Sequence, residues 1–254
     1  MRKFLIALTF FTRIKLNLKD VTEDEFHEAM YQLPFVGLVI GFLLCLGAEI
    51  LKFINIPMLN GIFIIFLYLW ITGGLHLDGL ADSMDGMMSA RKRERILEIM
   101  HDSTLGSFGA IALIMYFLSF FGILNVMLPL TTIPLLVMPV VGRFCALQAC
   151  YFSDYAPGGG GLGKPSIENI KLHHILPSFI LILILCSYLG IYVLVGFGVA
   201  ILATFVLTHK FKKVIGGMTG DTLGMTIEVA QVVFLFALTI MLIHFPYLYK
   251  GVFL

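Results

Sequence analysis

Asp78, Asp82 and Asp85 stand at i, i+4 and i+7 within the stretch GGLHLDGLADSMDG. On a helix that spacing puts all three carboxylates on one face. Three like charges on one face repel, and beside hydrocarbon each is expensive to keep ionised. A cation among them relieves both penalties. A hard divalent metal bound through oxygen, Mg²⁺ carrying the phosphates of a substrate, is the chemistry this pattern predicts. A solvated acidic loop end would account for one aspartate, less well for three. Gly79, Ala81 and Gly86 beside the carboxylates would let a phosphate approach the backbone. His76 is suited to orient a carboxylate or act as a base, and equally to be an interfacial histidine.

A second segment carries similar chemistry. Gly216-Gly-Met-Thr-Gly-Asp-Thr-Leu-Gly224 is followed by Glu228. Asp221 offers a further metal ligand and Thr219 and Thr222 offer hydroxyls. Gly217 and Gly220 permit close approach of a ligand to the backbone. A helix cap is the plainer account of Asp221 or Thr222. Arg143 lies alone inside an apolar stretch, where its charge needs either a phosphate or a buried carboxylate. Glu49 and Arg13 raise the same question with less support. The glycine run Gly158–Gly161 leads to Lys164, which could assist a phosphate, although the run is not a Walker sequence and also reads as a linker. Arg91, Lys92, Arg93 and Arg95 read as an anchor to anionic headgroups. Asp102 reads as a helix cap or a weaker metal ligand.

The elements that must position these groups are membrane-spanning. Of 254 residues, 59% are hydrophobic and only 13% charged, about half the charged share of a soluble domain. Mean hydropathy is +0.97. A net charge of +1 gives no electrostatic case for nucleic acid. Cys45, Cys145, Cys150 and Cys186 form no CxxC pair and read as buried small apolar residues. The predicted fold is all-α, a polytopic helical bundle of about six to seven transmembrane helices forming a single domain over 1–254. Spans are expected at 33–54, 57–76, 105–128, 131–150 and 226–246. Residues 175–208 are read as crossing twice, with a turn at Gly190 or at Gly196–Gly198. That choice places the basic residues before 20, at 91–95, at 164–171 and at 210–213 on one side, the cytoplasmic one, with Lys250 a minor exception. The N-terminal MRKFLIALTFFTRIKL is expected to be a short helix of the mature protein rather than a signal peptide. The polar segments 78–103, 151–174 and 210–228 then share the cytoplasmic face, and the opposite connections near 55–60 and 125–131 are nearly featureless. One chemically furnished face predicts an active site there. A divalent-cation transporter would be expected to carry polar groups near the midplane and on both sides.

In order along the chain, GGLHLDGLADSMDG, LEIMHDSTLGSFG and GGMTGDTLGMTIE resemble the signature segments of the cobalamin synthase family, the adenosylcobinamide-GDP ribazoletransferases. LTFFTRI, LPFVGLVIG and the loop after Tyr155 are similar as well, so the likeness runs from about residue 4 to 228. Lys15 stands where the family often has proline, and the loop after Tyr155 lacks the family's Arg-Pro-Glu-like sequence. The resemblance implies transfer of the adenosylcobinamide phosphate moiety from adenosylcobinamide-GDP to α-ribazole or its 5′-phosphate, releasing GMP, with Mg²⁺ as cofactor. It implies a multi-pass protein of the prokaryotic inner membrane, and is compatible with a homo-oligomer or with association with other enzymes of nucleotide-loop assembly. On this reading Asp78, Asp82, Asp85 and Asp221 hold Mg²⁺, and Asp82, Asp85 or His76 supplies the base. Arg143, Lys164, Gly217, Thr219, Gly220 and Thr222 contact substrate. Another Mg²⁺-dependent alcohol phosphotransferase of the CDP-alcohol type is the alternative within enzymes. Those proteins carry an arginine directly after the alanine of the aspartate motif and a more widely spaced second aspartate pair; here Asp82 follows Ala81, and the chain lacks both features.

Overall fold

The computed structural model describes residues 1–54, 56–158 and 163–246. Gly159, Gly160 and Gly161 of the glycine run, Lys250, and Asn55 in the 55–60 connection lie outside the described residues. The twelve α-helices among the described residues are α1 (Arg2–Phe11), α2 (Glu23–Ala29), α3 (Leu33–Leu51), α4 (Pro57–Thr72), α5 (Leu75–Met88) and α6 (Arg93–Met100). They continue with α7 (Ser107–Met127), α8 (Ile133–Tyr151), α9 (Lys164–Glu168), α10 (Leu172–Leu189), α11 (Ile191–Ile215) and α12 (Gly220–His244).

Six helical segments are long and apolar enough to cross a membrane: 23–54, which ends in α3, together with α7, α8, α10, α11 and α12. This is a polytopic helical membrane protein. The sixteen-residue α4 and α5 together are apolar enough for a seventh candidate span, but the chain turns through 94° between them. Gly73 and Gly74 make that turn, both with left-handed φ, +69° and +75°. Two consecutive residues in that region exclude side chains with a Cβ, so the helix stops and α5 leaves the direction of the span. The chain between 175 and 208 breaks at Gly190 (φ +105°) into two helices. Gly196 and Gly198, the other expected turn, lie inside α11. Lys210, Lys212 and Lys213, expected in a connection, occupy the last turns of α11, and α12 begins six residues before the expected span, at Gly220.

Helix α8 runs through the middle of the bundle, apolar and buried on nearly every side. Helix α3 crosses it closely at Gly37 and Gly41, which face the carbonyls of Pro139 and Leu136, the small-residue packing favoured between helices in lipid. Exposed side chains such as Phe42, Phe66, Trp70, Ile114, Leu118 and Leu202 give the bundle an apolar exterior suited to acyl chains.

Candidate active site

Helix α5 carries the aspartates and is clamped between α12 and α7. Against α12 the contact is backbone to backbone. A Cβ on Gly79 would lie 2.7 Å from the carbonyl oxygen of Asp221 and 2.9 Å from its Cα. A Cβ on Gly224 would lie 2.9 Å from the carbonyl oxygen of His76. Only glycine at both positions permits this crossing, and the crossing brings Asp78 and Asp82 beside Asp221. Against α7 the contact is a cap. The carboxylate of Asp85 accepts hydrogen bonds from the amides of Gly106 and Gly109, each 2.8 Å, at the positive end of α7 where an anion is favoured.

This adds to the expectation for Asp85. It is buried with each oxygen accepting one backbone amide, so it fastens α7 to α5, a structural role beside the one expected of it. Asp78 is exposed, and Asp82 and Asp221 are half-buried. Burial first, then the charges of Asp78, Asp221 and Asp85, push the Asp82 carboxyl up to about 7, with His101 offsetting part of the effect. Among the described residues no three His, Cys, Asp or Glu side chains converge closely enough to hold a metal as they stand. The donor set fits a hard cation nonetheless. It consists of carboxylate oxygens, its mutual repulsion is what a cation would relieve, and exposed Asp78 is free of packing constraints on its rotamer.

The second segment is positioned by short backbone pairing. The amide of Met218 donates to the Asp154 carbonyl (2.9 Å), and the Ala156 amide to the Met218 carbonyl (2.8 Å). A Cβ on Gly217 would stand 2.4 Å from the Asp154 oxygen. Thr219 caps α12. Its hydroxyl accepts from the Thr222 amide (3.2 Å) while its own amide donates to the Thr222 hydroxyl (2.8 Å). Both side chains are buried, and Gly217 is packed against the 154–156 backbone. These three residues, expected to touch substrate, instead build the segment that presents Asp221. Gly220, with nothing within 4 Å of a would-be Cβ, remains open to a ligand. Lys164 is exposed and stands 3.9 Å from Glu168. Asp102 caps its own turn by accepting from the Thr104 amide (3.0 Å).

Arg143 is fully buried. Its Nη1 donates to the Pro139 carbonyl (3.2 Å) and to Gln231 Oε1 (3.4 Å). Gln231 in turn donates to Glu228 (3.0 Å) and to the Tyr68 hydroxyl (2.9 Å), and both Tyr68 and Tyr116 donate to Glu228. The arginine therefore answers the buried charge of Glu228 through a glutamine. It belongs to a polar knot joining α4, α7, α8 and α12, and its Nε and Nη2 have no hydrogen-bond partner. Glu49 pairs with Lys52 (2.9 Å) at the end of α3 distant from the aspartates. His76 bridges knot and site. Its Nδ1 stands 4.0 Å from Glu228 with no hydrogen-bond partner, and its ring stacks on Phe11.

Beside the carboxylates a cavity of about 370 Å³ opens between α1, α2, α5, α8, α9 and α12. Asp78, Asp221, Gly220 and His76 border it, and most of its wall is apolar, including Phe11, Phe26, Tyr31, Met100, Leu147 and Ile227. The sequence marked none of these six. In a chain this apolar, a residue lining a cavity and a residue facing a helix neighbour are of the same types.

Fold and site together define a helical integral membrane protein with one acidic site formed where α5 and α12 cross. Across residues 3–239 the chain matches the model of the family described as cobalamin-5-phosphate synthase, and it belongs to that family. It is 38% identical to the adenosylcobinamide-GDP ribazoletransferase of Alkaliphilus oremlandii, over 92% of this chain and 96% of that protein. It is also 38% identical to the one of Desulfitobacterium hafniense, over 98% of both chains, and 36% identical to the one of Fusobacterium nucleatum, over 93% and 96%. No solved structure matches the chain.

Proposed function

We propose that this chain is an adenosylcobinamide-GDP ribazoletransferase of the cytoplasmic membrane, with its acidic end facing the cytoplasm. The observation that carries the reading is the family match along nearly the whole chain, which includes both aspartate-bearing segments. In the reaction a hydroxyl oxygen of α-ribazole, or of its 5′-phosphate, forms a bond to the cobinamide-side phosphorus. The bond from that phosphorus to the bridging oxygen breaks, and GMP leaves with the oxygen. The hydroxyl proton passes to a base.

Such a transfer needs charge neutralisation and in-line positioning more than covalent help from the protein. Asp78 and Asp221 would hold Mg²⁺, which when bound neutralises the diphosphate and the departing GMP. Asp82 stands beside them and titrates near neutrality, so it suits the role of general base. Open backbone at Gly220 leaves room for a phosphate between the carboxylates. Asp85, Thr219 and Thr222 keep α5, α7 and α12 in register and take no part in the chemistry. The cytoplasmic orientation rests on the basic groups that share the end of the bundle with the aspartates.

The test is direct. Protein in lipid nanodiscs, given Mg²⁺, adenosylcobinamide-GDP and α-ribazole, should release GMP and form a cobalamin product in equal amounts. Absence of GMP with intact protein refutes the reading. The same protein in sealed liposomes should pass no divalent cation.

A further inference from the structure

The apolar cavity has features that the transfer of a phosphate does not require. It adjoins the carboxylates at Asp78 and Asp221 and runs back to Ala146, Leu147 and Cys150 on α8. Two hydroxyls of its wall are engaged elsewhere, while the buried Nδ1 of His76 has no partner. The Tyr31 hydroxyl donates to the Ser166 carbonyl (3.1 Å), and the Ser166 hydroxyl donates to the His27 carbonyl (3.2 Å). A ligand group entering here meets mostly rings and aliphatic surface. Asp78 also borders a second, more open cleft of about 520 Å³ on the side of α7, lined by Asp82, Ser103 and Phe117. Asp78 therefore borders both a mostly apolar cavity and a more open cleft.

We propose that the apolar cavity is the acceptor subsite and that it selects the acceptor alcohol by a planar, apolar aromatic group inserted toward α8. This rests on the transferase reading. Three physical arguments favour that occupant. A corrin macrocycle with its amide side chains is far too large for 370 Å³. The guanine of the donor carries several donors and acceptors around its edge, and burying them against a mostly apolar wall would leave most of them unpaired at about 1–3 kcal/mol each. The two-ring base of α-ribazole is flat, largely apolar, and bears no edge amide. Seated among Phe11, Tyr31, Leu147 and Ile227, it would hold its ribose near the carboxylates, with the donor phosphorus approached from the open side. In-line transfer requires the attacking and leaving oxygens on opposite sides of the phosphorus, and two recesses that both border Asp78 give the acceptor and the donor separate places to sit.

The decisive experiment narrows the cavity from its back wall. Ala146→Leu, and separately Cys150→Leu about one turn along α8, add volume without touching the carboxylates; two sites guard against one variant failing to fold. Steady-state kinetics of each would be measured with α-ribazole and with a riboside of a single-ring aromatic. KM for α-ribazole should rise tenfold or more, KM for adenosylcobinamide-GDP should stay within twofold, and the single-ring acceptor should keep at least half its wild-type kcat/KM. A raised donor KM with an unchanged acceptor KM would assign the cavity to the donor and overturn the proposal, as would equal losses with both acceptors. If the wild type releases no GMP, the transferase reading itself falls. Equilibrium binding of α-ribazole alone then decides the subsite: saturable binding that Ala146→Leu abolishes supports it, and no binding to the wild type overturns it.

Discussion

Replacing Gly79 by alanine adds one methyl group at the place where the site is assembled. The new Cβ would meet the Asp221 carbonyl oxygen at 2.7 Å, against 3.4 Å for the closest ordinary contact. The two helices must therefore part by roughly 0.7 Å, because the obstructing atoms are backbone and have no rotamer to yield. Overpacking of this kind typically destabilises by about 1–3 kcal/mol. The larger effect should be on catalysis. The displacement moves Asp78 and Asp82 away from Asp221, and a misplacement of about 1 Å costs on the order of a hundredfold in rate, or about 2.7 kcal/mol of transition-state stabilisation. The assay is GMP release in nanodiscs, read as kcat/KM, with a thermal melt of the same preparation. Gly122→Ala on α7 is the control, since nothing lies within 4 Å of its would-be Cβ; it should match the wild type in both measurements. If Gly79→Ala retained wild-type kcat/KM and wild-type melting temperature, the close crossing would not be what assembles the site.

Asp85→Ala should lower the melting temperature, by an amount corresponding to about 2–3 kcal/mol, because it strands the amides of Gly106 and Gly109. Mg²⁺ affinity measured by calorimetry should change less than threefold in that variant, and a loss of tenfold or more would return Asp85 to the metal site. Asp82 makes a pH prediction. Its folded carboxyl titrates at about 7, above its ordinary 3.8, so its favourable contribution in the metal-free protein is complete below about pH 4 and is lost as pH rises through 7. The melting temperature of the metal-free protein should fall across that window, and Asp82→Asn should flatten the fall. Mg²⁺ binding at pH 6.5 should expel a proton, and affinity should rise with pH and level off above 7. Asp82→Asn should abolish the expelled proton and cut turnover by about 10² or more, whereas proton release unchanged in that variant would separate Asp82 from the cation. Glu228→Ala should destabilise by about 3–5 kcal/mol, since it leaves buried Arg143 without a countercharge; restored stability in Glu228→Ala/Arg143→Leu would show that the loss came from the uncompensated charge.

The separation between what was legible in the sequence and what was not follows the range of the interactions. Apolar run length is a local property, so the membrane class and most span positions could be read directly. The i, i+4, i+7 aspartates share a helix face by local geometry alone, and α5 is that helix. The motif order carried the family likeness, because it depends on residue types and spacing within short segments. Roles that depend on a distant neighbour were not legible. Asp85 looks like its two companions in sequence, and only the approach of the α7 N-terminus, more than twenty residues away, makes it a cap. By contrast the cap at Thr219 and Thr222 is a contact between residues three apart, and a cap was the plainer sequence reading of Thr222. Arg143 advertised a buried charge, but not Glu228, Gln231, Tyr68 and Tyr116, which come from three helices to join it. The apolar cavity carried no signal at all, since its wall has the composition of any core in so hydrophobic a chain. By itself, then, the sequence determined the membrane-spanning class, the helix that carries the carboxylates and the family. The tertiary structure decided which carboxylates remain available, what sits behind them and where an apolar ligand can enter. Those properties arise from contacts between helices far apart in the chain, and residue spacing within one helix holds no information about which partner will arrive.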